Sequence, residues 1–323
     1  MKKTRISQLL GIDLPLIQGG MSLLAGAELA AAVSNAGGLG IISPDAGMAA
    51  HSDKVQNLRH LLARTRELTS KPFGINLPLR TSDINELIEV TLQEKVSVVI
   101  TSMGDPASYT YLLKDNGVTV LHVVASVKQA VRAEVFGVDA VIAEGCEAGG
   151  HIGHDELTTF VLVPQIADAV KIPIVAAGGI ADARGLVAAI ALGAEGVQIG
   201  TRFITSPECI AHARVKEAIL KASDTDTVIT CRKLGPHRVL KNELAARLIE
   251  MESAGYSANE IATVLASINR PRQGEIEGNL ADGEVYCGAI AGMIPNIIKA
   301  GDIVESIAYS SREVIARLNN IWS

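Results

Sequence analysis

Short apolar runs recur through the first two thirds of the chain, each bounded by Gly, Asn, Asp or Pro. Between these runs lie longer stretches in which apolar residues recur at helical spacing. The pattern predicts β-strands at residues 15–18, 39–43, 73–77, 97–102, 119–124, 140–143, 174–177 and 196–200. Eight strands that alternate with helices over about 200 residues predict an α/β fold of the (β/α)8 TIM-barrel type. A doubly wound sheet is the alternative, but eight parallel strands at this spacing close more naturally.

Several of the predicted helices have clear start signals. Ser126 followed by Gln129 matches a capping box, in which two side chains satisfy backbone N–H groups at the helix start. Asp105 before Pro106 is a second start signal, and Asp182 is a third. These signals support helices between the strands.

The pattern changes after Phe203. Residues 206–265 predict helices, 270–283 are polar without clear periodicity, and 286–300 predict an apolar helix before an amphipathic C-terminal one. A helical insertion after strand eight lies at the rim where barrel active sites form, so a lid role is expected. The predicted organisation is a barrel over 1–205, a mostly helical lid domain over 206–283, and C-terminal helices that return to the barrel over 284–323.

The amino-acid composition limits which kinds of molecule the protein is expected to bind. The 323 residues are 48% hydrophobic and include 30 glycines, which suits buried parallel strands flanked by helices. The formal net charge is −6 and no long basic run occurs, so we expect neither nucleic acid nor membrane as a partner. The four cysteines form no Cys-x-x-Cys pair, and a cytoplasmic protein with free thiols is the expectation. Apolar helices at the barrel rim allow a homodimer.

Glycine turns at strand ends carry the candidate chemistry. Gly178-Gly179 follow strand seven, and Gly200-Thr201 end strand eight. Barrels often bind phosphate at this position with bare backbone N–H groups, so we expect a phosphate here. Glycines that only permit tight turns are the alternative explanation.

A flat ring could lie between strands one and three. Gly19, Gly20 and Met21 leave strand one, so backbone could pass close to a ring while Met21 forms a soft wall. Asn76 ends strand three, and its amide offers a donor and an acceptor to the edge of a flavin pyrimidine. A dinucleotide fingerprint fails on spacing, because the glycines at 37–40 precede a strand instead of following one.

His151 is the candidate catalytic residue. It stands among Gly149, Gly150 and Gly153 in a loop that leaves strand six. With an ordinary pKa of roughly 6.5, an imidazole can take or give a proton near neutrality, so it could abstract an acidic α-proton or bind a polar head group. A histidine that only anchors the loop is the alternative. His154 and the nearby Glu144 and Glu147 lack metal-ligand spacing, so no metal is predicted.

At these residues the chain resembles the nitronate monooxygenase (2-nitropropane dioxygenase-like) family, which includes the flavin-dependent enoyl-ACP reductase II enzymes. The matching segments are 17–21, 36–40, 71–76, 144–153, 176–182 and 200–203. The resemblance implies a TIM barrel with non-covalent FMN and a small second domain over the pocket. It makes His151 the active-site histidine. The expected cofactor contacts are Gln18, Gly19, Gly20, Met21, Asn76, Ser126, Glu144, Gly149, Gly150, Ala177, Gly178, Gly179, Gln198, Gly200 and Thr201.

The family's members differ in reaction. Nitronate monooxygenases oxidise an alkyl nitronate and return electrons to O2, whereas enoyl-ACP reductase II and NADH:quinone reductases take electrons from NAD(P)H. The loop at 153–159 favours the first type and the segment 272–283 the second, and we rank nitronate oxidation first. A flavin-binding regulatory module and a flavin-free barrel enzyme acting on a phosphorylated substrate are further alternatives.

Overall fold

The computed structural model describes residues 2–48, 52–266 and 269–322. Its strands are β1 (Leu16–Gln18), β2 (Gly40–Ile42), β3 (Phe73–Pro78), β4 (Val98–Ser102), β5 (Thr119–Val124), β6 (Ala140–Glu144), β7 (Gly150–His151), β8 (Ile174–Ala177), β9 (Gly196–Ile199), β10 (Thr227–Thr230) and β11 (His237–Leu240). Its α-helices are α1 (Arg5–Leu9), α2 (Ala27–Asn35), α3 (Lys54–Leu68), α4 (Ile84–Gln93), α5 (Thr110–Asp115), α6 (Val127–Val135), α7 (Thr159–Ala169), α8 (Ala183–Ala191), α9 (Thr201–Ile204), α10 (Ala213–Lys221), α11 (Glu243–Ser253), α12 (Ala258–Ala266) and α13 (Ala300–Trp322).

Eight of these strands form a closed parallel barrel. The sheet runs in the order β1-β9-β8-β6-β5-β4-β3-β2. The ring closes where Ile17 pairs in parallel with Leu39, and Gln18 N–H donates to the Leu39 carbonyl at 2.9 Å. Each barrel strand lies where the apolar runs predict it, within one residue at either end. The TIM-barrel prediction is therefore confirmed.

Two apolar layers stabilise the barrel. Inward-facing residues such as Ile41, Ile100 and Ile142 fill the interior, and Ile6 of α1 and Leu10, which directly follows α1, belong to the same cluster. The helix α1 was not predicted, because five residues are too few to show a helical period. A second, larger cluster packs the helices onto the outside of the sheet. The helix α13 packs against α2 and α8, so the chain does return to the outer ring.

Several helix caps are those that the sequence predicts. Ser126 accepts a hydrogen bond from Gln129 N–H at 3.3 Å, and Asp182 accepts one from Arg184 N–H at 2.8 Å. Asp105 caps a short 3-10 helix, Pro106–Ser108, that leads into α5. Local side-chain chemistry therefore determines where these helices begin.

The segment after Phe203 differs from its prediction in two places. Strands β10 and β11 lie within residues predicted to be helical, and with β7 they form a three-stranded antiparallel sheet. The run Thr-Val-Ile-Thr of β10 is rich in β-branched residues, a strand signal that the helical pattern of its neighbours hid.

The predicted helix over 286–300 is also wrong. Only a 3-10 turn, Ala289–Met293, forms there, because Pro295 lacks the N–H that a continued helix would need. None of the helices in the described ranges combines the length and the apolar character that crossing a bilayer requires.

Candidate active site at the carboxyl ends of the strands

A cavity of about 870 Å³ opens at the carboxyl ends of the barrel strands. Gly19, Glu144 and Ala177 line it from the ends of β1, β6 and β8, while His237 and Glu284 line it from the segment that follows the barrel. In TIM barrels this face carries the catalytic groups. The cavity therefore marks the candidate active site.

Most of the predicted site residues meet in this cavity. Those that line it are Gly19, Gly20, Met21, Asn76, Glu144, Gly149, Gly150, His151, Ala177, Gly178, Gly179, Gln198, Gly200 and Thr201. The parallel topology explains the convergence, because the carboxyl end of every barrel strand faces the same rim.

Two predicted cofactor contacts have other roles in the structure. Gln18 is fully buried beneath the rim, where its side-chain oxygen accepts a hydrogen bond from Ile41 N–H at 2.9 Å and so joins β1 to β2. Ser126 caps α6 and does not line the cavity. Their contacts with a cofactor stay predictions.

The turn after β8 requires its glycines. Gly178 and Gly179 have φ values of +90° and +71°, in the left-handed region that side chains other than glycine rarely adopt. A Cβ on Gly178 would also lie 2.9 Å from the Gly145 carbonyl oxygen. The turn therefore presents bare backbone to the cavity, as a phosphate site needs.

Two features of the cavity wall suit a flat polar ring. Gly20 packs against Asn76 so closely that a Cβ on the glycine would lie 2.5 Å from the Asn76 Cβ. Among the described residues, the buried Oε1 of Gln198 finds no hydrogen-bond partner, although Gln198 lines the cavity. A buried acceptor without a donor is unfavourable, and a ring N–H of a flavin would satisfy it. The residues present therefore fit a flavin.

Glu144 brings a titratable group to the floor of the cavity. Its carboxyl group ends β6, and burial raises its pKa to about 7. It therefore carries a proton for part of the time at neutral pH. Such a group can donate as well as accept a hydrogen bond.

His151 points into the cavity from β7. Its ring is exposed because it faces the cavity, yet the surrounding protein still lowers its pKa, chiefly through burial and then through the charge of His237. The Glu284 carboxylate opposes this shift. His151 is therefore predominantly neutral at pH 7, with one nitrogen free to accept a proton.

Three aromatic rings pack together beside the cavity. The ring centroids of His151 and His237 are 5.3 Å apart. The Tyr286 ring centroid lies 5.8 Å from that of His151 and 5.6 Å from that of His237. His237 Nε2 lies 2.7 Å from Glu284 Oε1, and both side chains are buried. Burial alone would lower the His237 pKa, but the nearby Cys231 and Glu284 outweigh burial and raise the pKa to about 10.

Sequence reasoning missed His237 and Glu284. They are 47 positions apart, and neither belongs to a short motif. The strand pairing of β11 with β7 places His237 beside His151, so no local signal could reveal it. With Cys231 they form a group whose ligand atoms lie within 4.8 Å of one another. A tetrahedral cation would hold ligand atoms about 3.3 Å apart, so the 2.7 Å contact is that of a hydrogen bond.

The loop between β6 and α7 is fixed by Glu147. Its carboxylate accepts hydrogen bonds from Thr159 N–H at 2.9 Å and from the Thr159 hydroxyl at 3.0 Å. Glu147 is therefore engaged in holding the loop.

Comparison with known proteins identifies the family. The family model described as nitronate monooxygenase matches residues 3–89 and 79–309. The chain belongs to the nitronate monooxygenase family. Family members are oxidoreductases and flavoproteins, so the chain is an oxidoreductase enzyme.

Two relatives and one solved structure illustrate the range of this family. The chain is 32% identical to "Probable nitronate monooxygenase" of Staphylococcus saprophyticus, covering 97% of this chain and 99% of the relative. It is also 32% identical to a Mycobacterium tuberculosis protein named (3aS,4S,5R,7aS)-5-hydroxy-7a-methyl-1-oxo-octahydro-1H-indene-4-carboxyl-CoA dehydrogenase, covering 94% and 95%. The structure of FabK from Thermotoga maritima superposes with a TM-score of 0.92 at 43% identity, covering 99% of this chain and 100% of FabK. The family therefore includes proteins named for different activities.

Proposed function

We propose that this oxidoreductase binds FMN and oxidises alkyl nitronates with O2. The observation that carries the proposal is the position of His151, a largely neutral imidazole that faces a cavity lined by glycine turns. The family model and the relatives named as probable nitronate monooxygenases support the choice of substrate.

The residues that would hold FMN divide into two groups. Gly178, Gly179, Gly200 and Thr201 would hold the phosphate through backbone N–H groups and the threonine hydroxyl. The ring would be held by Asn76 and Gln198 amides and by backbone at Gly19, Gly20, Gly149 and Gly150, with Met21 and Ala177 as apolar contacts. When bound, FMN supplies a ring that accepts and releases a hydride.

His151 would hold the substrate through a hydrogen bond and could accept a proton from it. A neutral imidazole donates through one N–H to a nitronate oxygen and keeps one lone pair. That lone pair can accept the α-proton of a nitroalkane, a step in which a general base typically contributes 10²–10⁴-fold. Glu144, whose burial raises its pKa to about 7, provides a second group able to hold a proton in the cavity.

The segment 206–283 would act as a lid that carries substrate contacts. Leu234, Gly235 and Pro236, which precede β11, line the cavity together with Glu275 from the π-helix Arg272–Ile276. Burial raises the Glu275 pKa to about 8, so this carboxyl group is mainly protonated at neutral pH and can donate a hydrogen bond. These contacts support a role in excluding water from the reacting atoms.

Reduction of an enoyl thioester by NAD(P)H is a second candidate function. Its specific support is the 43% identity to FabK, higher than the 32% identity to the nitronate monooxygenase relative. A quinone is a further acceptor for a flavin reduced by NAD(P)H. Nitronate oxidation and these NAD(P)H-dependent reactions would use the same flavin site, so the electron donor distinguishes the two classes.

Anaerobic flavin spectroscopy tests the proposal. The bound flavin is first released and identified by mass, which separates FMN from other flavins. Bleaching by propyl-2-nitronate, with recovery in air, is the expected result, and NADH or NADPH should leave the spectrum unchanged. Bleaching by a nicotinamide, with recovery on adding an enoyl thioester, would reject nitronate oxidation in favour of the second candidate. Purified protein without flavin would overturn both.

A further inference from the structure

His237 lies directly beside His151 for a structural reason. The two residues face each other in the antiparallel pairing of β7 with β11, and Ile152 N–H donates to the Pro236 carbonyl at 2.9 Å. Side chains directly opposite in such a pair have Cβ atoms about 4.5–5.5 Å apart. β7 has only two residues, so β11 is what holds the catalytic loop in its extended form.

The hydrogen bonds of His237 determine its protonation. Its Nδ1 lies 3.1 Å from the Gly235 carbonyl, which can only accept, so Nδ1 carries a hydrogen. Its Nε2 lies 2.7 Å from Glu284 Oε1. A carboxylate there requires a second ring N–H, and the two bonds together therefore favour an imidazolium. The Cys231 sulfur lies nearby, within 4.8 Å of the His237 and Glu284 ligand atoms.

A cation at His237 acts directly on His151. The ring centroids are 5.3 Å apart, and a positive charge at that distance opposes protonation of a neighbouring imidazole. The other titratable groups packed around the pair are Glu284, Glu275, Tyr286 and Cys231. Of these charged groups, His237 lowers the pKa of His151 and Glu284 raises it. Burial also lowers the pKa of His151, and its effect is the largest of the three.

We propose that His237, held by Glu284 and the Gly235 carbonyl, is a positioning residue that orients His151 and keeps its imidazole in the neutral form. This inference rests on the proposed catalytic role of His151. His237 itself acts through its neighbour. Nothing in the local sequence around His237 indicates this role, and it follows from the pairing of a lid strand with the catalytic loop.

Nuclear magnetic resonance of the ring nitrogens tests the proposal without a substrate. The FMN-loaded protein is labelled with ¹⁵N-histidine and titrated between about pH 5 and 9. In the wild type, we expect both nitrogens of His237 to stay protonated through neutrality while one nitrogen of His151 remains bare. A neutral His237 ring at pH 7 would overturn the proposal, even if no variant folds.

A substitution then tests the coupling. His237→Gln removes the cation and leaves the Glu284 carboxylate, and both changes favour protonation of His151, so its pKa should rise. His60→Gln, at an exposed position on α3, is the matched control and should not move it. A His151 pKa equal in the two variants would contradict the proposal. In the double variant His237→Gln/Glu284→Gln, the pKa of His151 should fall part of the way back toward its wild-type value, because the unpaired Glu284 carboxylate is removed.

Two further readouts separate positioning from a purely structural role. With whichever substrate the flavin assay identifies, His237→Gln should lower kcat by about 10-fold or more. The acid limb of the variant's pH profile should also move to higher pH. A loss of kcat with an unmoved profile would show that His237 only supports the fold. One equivalent of tightly bound zinc that disappears in Cys231→Ser would also overturn the proposal. The titration remains interpretable if nitronate oxidation is rejected.

Discussion

Glu147 and Thr159 join the loop that carries His151 to the turn after β8. Thr159 donates its N–H to the Glu147 carboxylate at 2.9 Å, and its hydroxyl oxygen lies 3.0 Å from Glu147 Oε2. The same hydroxyl lies 3.0 Å from the carbonyl oxygens of Ala177 and Gly178. One threonine therefore links the catalytic loop, the start of α7 and the candidate phosphate turn.

Glu147→Ala should destabilise the protein and reduce its flavin content together. Hydrogen bonds to a charged group typically contribute about 1.5–3 kcal/mol, and their loss leaves the Thr159 N–H without its acceptor. Urea denaturation and flavin absorbance measure the two effects. Glu217→Ala, an exposed glutamate on α10, is the control. Equal stability of the two variants would show that the Glu147 contacts contribute little.

His151→Ala should retain FMN and lose most turnover. The residue lines the cavity, and its side chain makes no hydrogen bond to the other described residues, so its removal should spare cofactor binding. General-base catalysis typically contributes 10²–10⁴-fold, and we expect a loss of kcat in that range with a neutral nitroalkane, whose α-proton His151 would accept. Steady-state kinetics at equal flavin content measures it. A decrease of less than about 10-fold would assign the catalytic proton to another group, and loss of FMN would make His151 structural.

Gly179→Val should expel the cofactor. Its φ of +71° strains any side chain by about 1–3 kcal/mol, and relief of that strain would displace the backbone N–H groups that face the cavity. Gly117→Val is the matched control, since Gly117 has a φ of +77° at the end of α5, with open space around it. Both variants should lose stability, and only the first should lose flavin absorbance. Normal flavin content in Gly179→Val would reject this phosphate site.

Acid should destabilise the protein through His122. Burial lowers the pKa of this histidine to about 4, whereas the unfolded chain has the ordinary value of about 6.5. As the pH falls from 6.5 to 4, the unfolded state binds a proton that the folded state excludes, so stability falls by up to about 3 kcal/mol. Denaturation curves of wild type and His122→Gln between these limits measure the difference. Parallel pH dependences would show that His122 accepts its proton without unfolding.

Activity should persist below the pH at which an ordinary histidine becomes protonated. Burial and then the His237 charge lower the pKa of His151, so the neutral base survives further into acid. The acid limb of kcat/KM, which reports the free enzyme, should therefore fall below pH 6.5. A limb above that value would mean that His151 is not the base, or that its environment favours the imidazolium.

The sequence by itself determined the barrel and much of its site. Strand and helix starts depend on near neighbours: apolar runs mark β5 and β8, and Ser126 and Asp182 cap helices within three residues. Because the carboxyl ends of all barrel strands meet at one rim, placing Asn76, His151 and Gly178 at strand ends was enough to bring them together.

Only the tertiary structure decided which groups surround His151. Strands β10 and β11 are short and depend on pairing with distant segments: β10 pairs with β11, and β11 pairs with β7. That pairing brings His237 beside His151, and packing of the returning chain brings Glu284 to His237 across 47 positions. The charge of a buried histidine depends on these distant partners, because desolvation and neighbouring charges set its pKa and neither has a local sequence signal.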